Sequence, residues 1–290
     1  MNVLRAETHT PSKSRRPFQV RSFGLTDRGL RRPANEDHFV VVELARTLTV
    51  RQSSVPQAEA QYSRHRGHVF IVADGIGGHK AGEVASALSV VTIEGFLLNT
   101  LNRFFNLKGT EEAAVLQEFQ AALTQADAKI FEEAGDHPEL SGMGTTLTMA
   151  FAVDWKLYVA HAGDCRAYLY SHGHLQQLTQ DHTVAAEMIR RGALTPTEAA
   201  HNPFRHIVPN VVGGTKPGLK VELHKLVLEP GDVLLMCSDG LNEMVPDDRL
   251  AAALGEEPDP QRLCEKLIAQ ANANGGKDNT TVVAAVFGES

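Results

Sequence analysis

The sequence predicts an α+β fold, two antiparallel sheets flanked by pairs of helices, on three observations. Short apolar runs bounded by glycine and aspartate recur at 69–73, 144–153, 233–237 and 280–287, with the length and punctuation of strands. Segments with helical spacing of apolar residues fall in pairs between them, 81–98 with 110–134 and 246–254 with 260–273. Strands come first and last in the chain, a pattern that packs sheet on sheet with helices outside.

In chain order, residues 1–19 carry Arg5, Lys13, Arg15 and Arg16 among Ser, Thr and Pro without hydrophobic period. They read as a disordered tail, with a partner-docking arm as the other reading. No linker or composition break divides the rest, so 20–290 reads as one domain. A short strand over 19–23 leads into a loop over 26–35, a strand follows over 39–42, and the polar stretch 50–68 reads as the extended connection of a β-hairpin. The run 69–73 is long enough for a strand buried on both faces and delivers Asp74 into Gly75, Ile76, Gly77 and Gly78, a glycine turn whose backbone is free to swing a carbonyl. The first helix turns Val84, Leu88, Val91 and Leu98 inward. The second turns Val115, Phe119, Ala122, Ala126 and Ile130 inward, with Thr110 as N-cap and Glu111 and Glu112 in its first turn. Strands over 144–153, 157–161 and 166–170 are joined by turns at 154–156 and 171–173. A helical piece over 184–191 then interrupts the strand rhythm. Strands over 221–228 and 233–237 follow, then two helices with Leu263, Leu267 and Ile268 facing inward, then the last strand over 280–287.

Composition narrows the function classes. A hydrophobic content of 42% with 22% charged residues is ordinary for a soluble domain with a substantial core. A net charge of −7 argues against nucleic acid as the main partner. No apolar run reaches the roughly 18 residues of a membrane span, and no signal-peptide pattern is present, so a cytoplasmic protein without a membrane partner is expected. Cys165, Cys237 and Cys264 show no CxxC spacing and read as reduced core thiols.

The chemistry concentrates at strand ends. Asp74 precedes Gly75, Asp239 precedes Gly240, and Asp278 follows Gly275 and Gly276, each beside an apolar strand. Glu36 and Asp37 form a fourth acidic cluster. Strand ends of one sheet converge, and gathered carboxylates repel, so cations or protons must hold them. Carboxylates on rigid strand ends beside a glycine carbonyl suit a hard divalent cation. Any one of these stretches alone is also a common turn signature.

The set RPANED at 32–37, DGIGGHKAGE at 74–83, GMGTTL at 142–147, AGDCRAYL at 162–169, QLTQDHT at 177–183, CSDGL at 237–241 and GGKDNTTVV at 275–283 resembles the metal-dependent, type 2C serine/threonine protein phosphatases, in particular their bacterial branch. The resemblance runs from about 23 to 287 with the motifs in the family's order. It implies a four-layer α-β-β-α sandwich and hydrolysis of phosphoserine and phosphothreonine by in-line attack of a water bridging two Mn²⁺ or Mg²⁺ ions. Asp74 would bridge the ions, with the Gly75 carbonyl, Asp239 and Asp278 as direct ligands and Glu36 and Asp37 acting largely through waters. Arg32, four residues before Glu36, would hold the substrate phosphate with its planar fork, a role for which the spacing of Arg28 and Arg31 does not fit. In several bacterial relatives the aspartate matching Asp164 helps bind a third metal; a turn-capping aspartate is the other reading. The segment 183–210 would be a flap beside the site where relatives differ in substrate preference. Phosphoproteins are the implied substrates, and a cognate serine/threonine kinase the implied pathway partner.

One departure matters. Many eukaryotic relatives carry a leaving-group histidine two residues after the bridging aspartate, and this chain has Ile76 there. His79 reads better as a helix-start residue capping local backbone, which leaves the acid unassigned and a metal-bound water as the expectation. Rival phosphatase classes fail on spacing: Cys165, Cys237 and Cys264 are followed six residues later by Ser171, Glu243 and Gln270 rather than arginine, and no Asp-x-Asp stands at Asp74. A catalytically dead phosphoprotein binder is disfavoured by the complete acidic set with Arg32. A hydrolase of small phosphate esters shares the chemistry and stays open.

Overall fold

The computed structural model describes residues 2–3, 18–45, 66–77, 81–104 and 112–289. In chain order the elements are β1 (Asn2–Val3), β2 (Phe18–Asp27), β3 (Asp37–Ala45), β4 (Arg66–Ile76), α1 (Ala81–Phe104), α2 (Glu112–Asp136), β5 (Gly144–Thr145), β6 (Leu147–Val153), β7 (Lys156–Ala162), β8 (Arg166–Ser171), β9 (His174–Gln177), α3 (Val184–Arg190), α4 (Pro196–Ala200), β10 (Val212–Gly213), β11 (Glu222–Val227), β12 (Val233–Cys237), α5 (Asp239–Asn242), α6 (Asp247–Glu256), α7 (Pro260–Ala273) and β13 (Thr280–Glu289). One sheet runs β1-β11-β7-β6-β4-β5-β10 with β3 also on β4, and the other runs β2-β13-β12-β8-β9. Every described pairing is antiparallel except β1 on β11, which places Asn2 and Val3, within the stretch expected to lack structure, on a sheet edge.

Three apolar layers separate four structural ones, giving the α-β-β-α sandwich. Phe119, Leu123 and Ile130 of α2 and Ile93 of α1 pack on Val69, Ile71, Met149 and Phe151 of the first sheet. Phe70, Val72, Ala150, Met236, Val283 and Phe287 fill the space between the sheets. Leu250 and Leu254 of α6 and Leu263, Leu267 and Ile268 of α7 cover Leu235, Val282 and Ala284 on the far side. Alternate residues of β4 thus enter two different cores, which explains its unbroken apolar run.

Several local readings need correction. The apolar face of α1 is only partly the expected one: Val84 and Leu88 pack against the core, but Val91 and Leu98 are 61% and 69% exposed, while Ala81, Ala85, Val90, Ile93 and Leu97 are buried. This helix is apolar over much of its circumference, so period alone does not choose its face. Its stretch Ala81–Thr100 has a mean hydropathy of 1.5, enough by composition for a membrane span, yet 44% of it is buried within this fold. Residues 66–68, read as loop, begin β4, and the strand read over 144–153 is broken at Thr146 into β5 and β6. The hairpin connection 46–65, Thr110, Glu111 and His79 lie outside the described residues. The three cysteines are buried and free.

Phe119 is fully buried edge-on to Phe151, with ring centroids 6.1 Å apart, at the centre of the helix–sheet core. Phe119→Ala should lower the unfolding free energy in urea by about 3–5 kcal/mol; a loss under about 1 kcal/mol would contradict this packing.

Candidate metal centre and active-site cavity

Antiparallel pairing brings the acidic segments to one end of the molecule. Asp37 opens β3 directly opposite Asp74 near the end of β4, so both side chains leave the same face. In the second sheet β12 ends where its neighbour β13 begins, with Cys237 opposite Val282, and β2 ends at Asp27 opposite Thr280. Asp239, Asp278 and the loop 28–36 therefore gather at that same end. Asp239 sits in the first turn of α5, behind Ser238 at the N-cap, a short helix where only a turn was expected.

A shell of hydroxyl and amide groups fixes these carboxylates. Buried Asp37 accepts 2.7 Å hydrogen bonds at Oδ2 from Ser238 Oγ and Thr281 Oγ1. Thr281 is in turn 2.8 Å from Thr26 Oγ1, which accepts from Asn35 Nδ2. Asn279 staples the loop to β13: Oδ1 accepts from the Glu36 N–H, and Nδ2 donates to the carbonyls of Arg28 and Ala34. Thr146 Oγ1 accepts from the Asp74 N–H, and Thr145 Oγ1 donates to the Asp74 carbonyl. Gly75 needs its lack of a side chain for close approach rather than for a free backbone, because a Cβ there would sit 2.2 Å from the Gly82 carbonyl oxygen at the start of α1. Glu36 is held by its carbonyl, which accepts from the Gly75 N–H at 3.2 Å and from Ser86 Oγ at 2.6 Å.

The result is a cavity of 530 Å³ into which Arg32, Glu36, Asp74, Gly75, Asp164, Asp239 and Asp278 project. Asp37 lies just behind it. Burial first, and then their neighbours' charges, push the carboxyls of Asp74 and Asp239 far above the ordinary carboxylate range. Burial raises Asp37 to about 6 despite its two hydroxyl donors, and raises Asp164 to about 7 with Asp181 adding to it. Arg32 donates to Asp278 Oδ2 at 2.5 Å. Among the described residues nothing donates to Asp37 Oδ1 or Asp239 Oδ1, both buried. Buried carboxylate oxygens without donors, packed among further carboxylates and a backbone carbonyl, form a hard-oxygen set that fits divalent cations. Asp164 shares this cavity with Asp239, the placement a further ion would need. Ile76 also lines it, 37% exposed and without a proton to give.

Other participants were missed by sequence reasoning. Ser238, Thr281 and Asn279 stand inside quoted motifs but read there as turn and strand residues. Glu243, one helical turn beyond Asp239, could have been found by that spacing. His206 of the flap, whose Nδ1 is 2.9 Å from Glu243 Oε1 across the cavity mouth, gave no local signal. Arg205 and Lys277 at the same rim gave none either.

Residues 49–275 match the profile of a family described as protein phosphatase 2C. The chain is 31% identical over 258 residues to the serine/threonine phosphatase Stp of Listeria innocua, covering 89% of this chain and 92% of that one. Its fold superposes on a serine/threonine phosphatase of S. agalactiae with a TM-score of 0.77 at 28% identity, covering 92% and 99% of the two chains. It superposes on the catalytic domain of the serine/threonine protein phosphatase PstP in complex with two manganese ions with a TM-score of 0.73 at 30% identity, covering 94% and 100%.

The raised carboxyl pKa values set a pH dependence with a definite sign. A carboxyl titrating higher in the folded than in the unfolded chain, near 3.9, stabilises the fold below that pH and loses this contribution as pH rises, through about 6 for Asp37 and about 7 for Asp164. Divalent cations compete with these protons. Mn²⁺ held at about 100 times its pH 8 dissociation constant should stabilise the protein by about 2.7 kcal/mol near pH 8 and, at the same concentration, by clearly less near pH 5. Thermal melts at both pH values check this, and equal shifts would contradict it.

Proposed function

This chain belongs to the protein phosphatase 2C family, and from that membership we propose how its own residues perform the reaction. The protein is a metal-dependent serine/threonine phosphatase that acts on phosphorylated proteins with Mn²⁺ or Mg²⁺ as cofactor. The observation that carries the assignment of the site is the pair of donor-less buried oxygens on Asp37 and Asp239 within a cavity of converging carboxylates. Asp74, Asp239 and Asp278 with the Gly75 carbonyl would hold two ions directly, Glu36 and Asp37 would act from behind through waters, and Asp164 would serve a third. When bound, the ions supply Lewis acidity, neutralising phosphate charge and making a water acidic enough to attack near neutral pH.

The chain's own part is positioning. Arg32 is half-exposed at the cavity wall, and its guanidinium is the fork that would grip the equatorial phosphate oxygens while water attacks in line. Thr145 and Thr146 hold the Asp74 backbone from both sides, and Ser238 with Thr281 fixes one oxygen of Asp37 so that the other faces its task. Ile76, at the place where many eukaryotic relatives carry a histidine, has no proton to give, so the leaving alkoxide would take its proton from a water held by the ions. A phosphorylated serine or threonine must be made by phosphoryl transfer, so a serine/threonine kinase stands opposite this enzyme. A reducing cytoplasm is its compartment, in keeping with three free buried thiols.

Hydrolysis of a phosphothreonine peptide and of p-nitrophenyl phosphate should require Mn²⁺ or Mg²⁺, stop with EDTA, and be abolished in a folded Asp239→Ala protein. Metal-independent turnover would overturn the assignment. Arg32→Ala should lower kcat/KM by about 100-fold, with Arg32→Lys recovering only part of it; an unchanged kcat/KM would remove Arg32 from the phosphate.

A further inference from the structure

A second hollow of 430 Å³ opens directly into the catalytic cavity. The two share Asp164, Arg205, His206, Asp239, Glu243 and Lys277. One wall is the flap, with Ala185 and Ile189 of α3 and Ala199 of α4, and the other is the end of α5 and the residues after it, with Asn242 and Met244. The floor is the ion pair of Arg166 with Asp181, 2.7 Å, so those two charges are already satisfied. The hollow therefore combines an apolar wall from Ala185, Ile189 and Ala199 with a polar remainder, and it runs from the catalytic cavity along the flap.

The junction between the two spaces has an unusual charge. Around it stand carboxylates, as does most of this acidic protein's cavity. Asp164 and Asp239 belong to the proposed metal set, and Glu243 is paired with His206. Arg205 and Lys277 line both hollows, are exposed, and form no ion pair among the described residues. Two uncommitted cations at the point where a bound chain would leave the catalytic cavity are placed to meet negative charge on that chain. Phe204 and Ile207, 52% and 48% exposed, flank Arg205 and His206 on the flap and extend the same surface.

We propose that the hollow along the flap receives the polypeptide flanking the phosphorylated residue, and that Arg205 and Lys277 select substrates with acidic side chains in that flank. This rests on the phosphoprotein reading above and adds the class of sequence preferred. The binding energy is realised in ground and transition states alike, because the flank does not change during phosphate transfer. The preference is thus expected in KM more than in kcat. Exposed ion pairs are individually weak and salt-screened, which limits the preference to about tenfold at low ionic strength.

The test uses the full chain with Mn²⁺ and two phosphothreonine peptides of equal length, one flanked by Asp and Glu, the other by Ala and Ser, with p-nitrophenyl phosphate alongside. Wild type should favour the acidic peptide about tenfold in kcat/KM, mainly through KM, with the preference shrinking as salt is added. The double variant Arg205→Ala/Lys277→Ala should bring the peptide ratio close to one, and Arg205→Glu/Lys277→Glu should invert it, a response that a loss of fold cannot produce. Equal turnover of both peptides by wild type would overturn the proposal. So would an equal loss on both peptides and on p-nitrophenyl phosphate in the alanine variant, which would assign the two cations to the phosphate itself. Turnover of p-nitrophenyl phosphate with neither peptide hydrolysed would instead remove the protein-phosphatase reading and the proposal with it.

Discussion

Carboxylates brought within a few ångströms of one another repel, and the end of the sandwich that carries Asp37, Asp74, Asp239 and Asp278 is built around that repulsion. Burial compounds it, because desolvation and neighbouring charge push the same way on Asp74 and Asp239. Without a counter-charge the site must take up protons; with divalent cations the same groups would become ligands. The fold gathers them because neighbouring antiparallel strands share ends: β3 starts where β4 finishes, and β13 starts where β12 finishes.

Around this cluster, hydrogen bonds do what hydrophobic packing does elsewhere. Thr281, Ser238 and Thr26 form a hydroxyl network that reaches Asp37 from the second sheet, while β3, which carries Asp37, belongs to the first. Asp37 is therefore a polar joint between the two sheets at the acidic end of the molecule. Close backbone approach is the other device: a Cβ on Gly75 would strike the Gly82 carbonyl, and one on Gly240 would lie 2.0 Å from the Asn279 carbonyl. Each glycine lets a neighbouring segment reach the metal centre without a side chain between them.

The flap is tied to the frame beside it by polar contacts at both of its ends. His182 Nδ1 accepts from the Gly163 N–H at 3.1 Å, next to Asp164, and stacks near buried His161, whose imidazole burial holds neutral with a value lowered to about 4. Farther out, the flap meets α5 through His206 and Glu243. Between those ties run α3 and α4, each with a threonine N-cap, Thr183 and Thr195, so the flap has regular structure of its own. Such a segment can vary in its exposed residues without disturbing the carboxylates beneath, which suits a surface that chooses among substrates.

The sequence by itself determined the longer strands and most helices, because short apolar runs and helices of period 3.6 write their type locally. It also marked Asp74, Asp239 and Asp278, since a carboxylate beside glycine at a strand end is a local pattern. It misplaced part of the inner face of α1, putting Val91 and Leu98 inward, and gave Gly75 a conformational role when its reason is steric. Only the tertiary structure decided which side chains share a cavity: that Asp37 leans on Ser238 and Thr281 of the other sheet, that His206 meets Glu243, and that Arg205 and Lys277 flank one opening. Those pairs are separated by tens to hundreds of residues, and no local propensity encodes a contact that exists only once two sheets have packed and their ends have met.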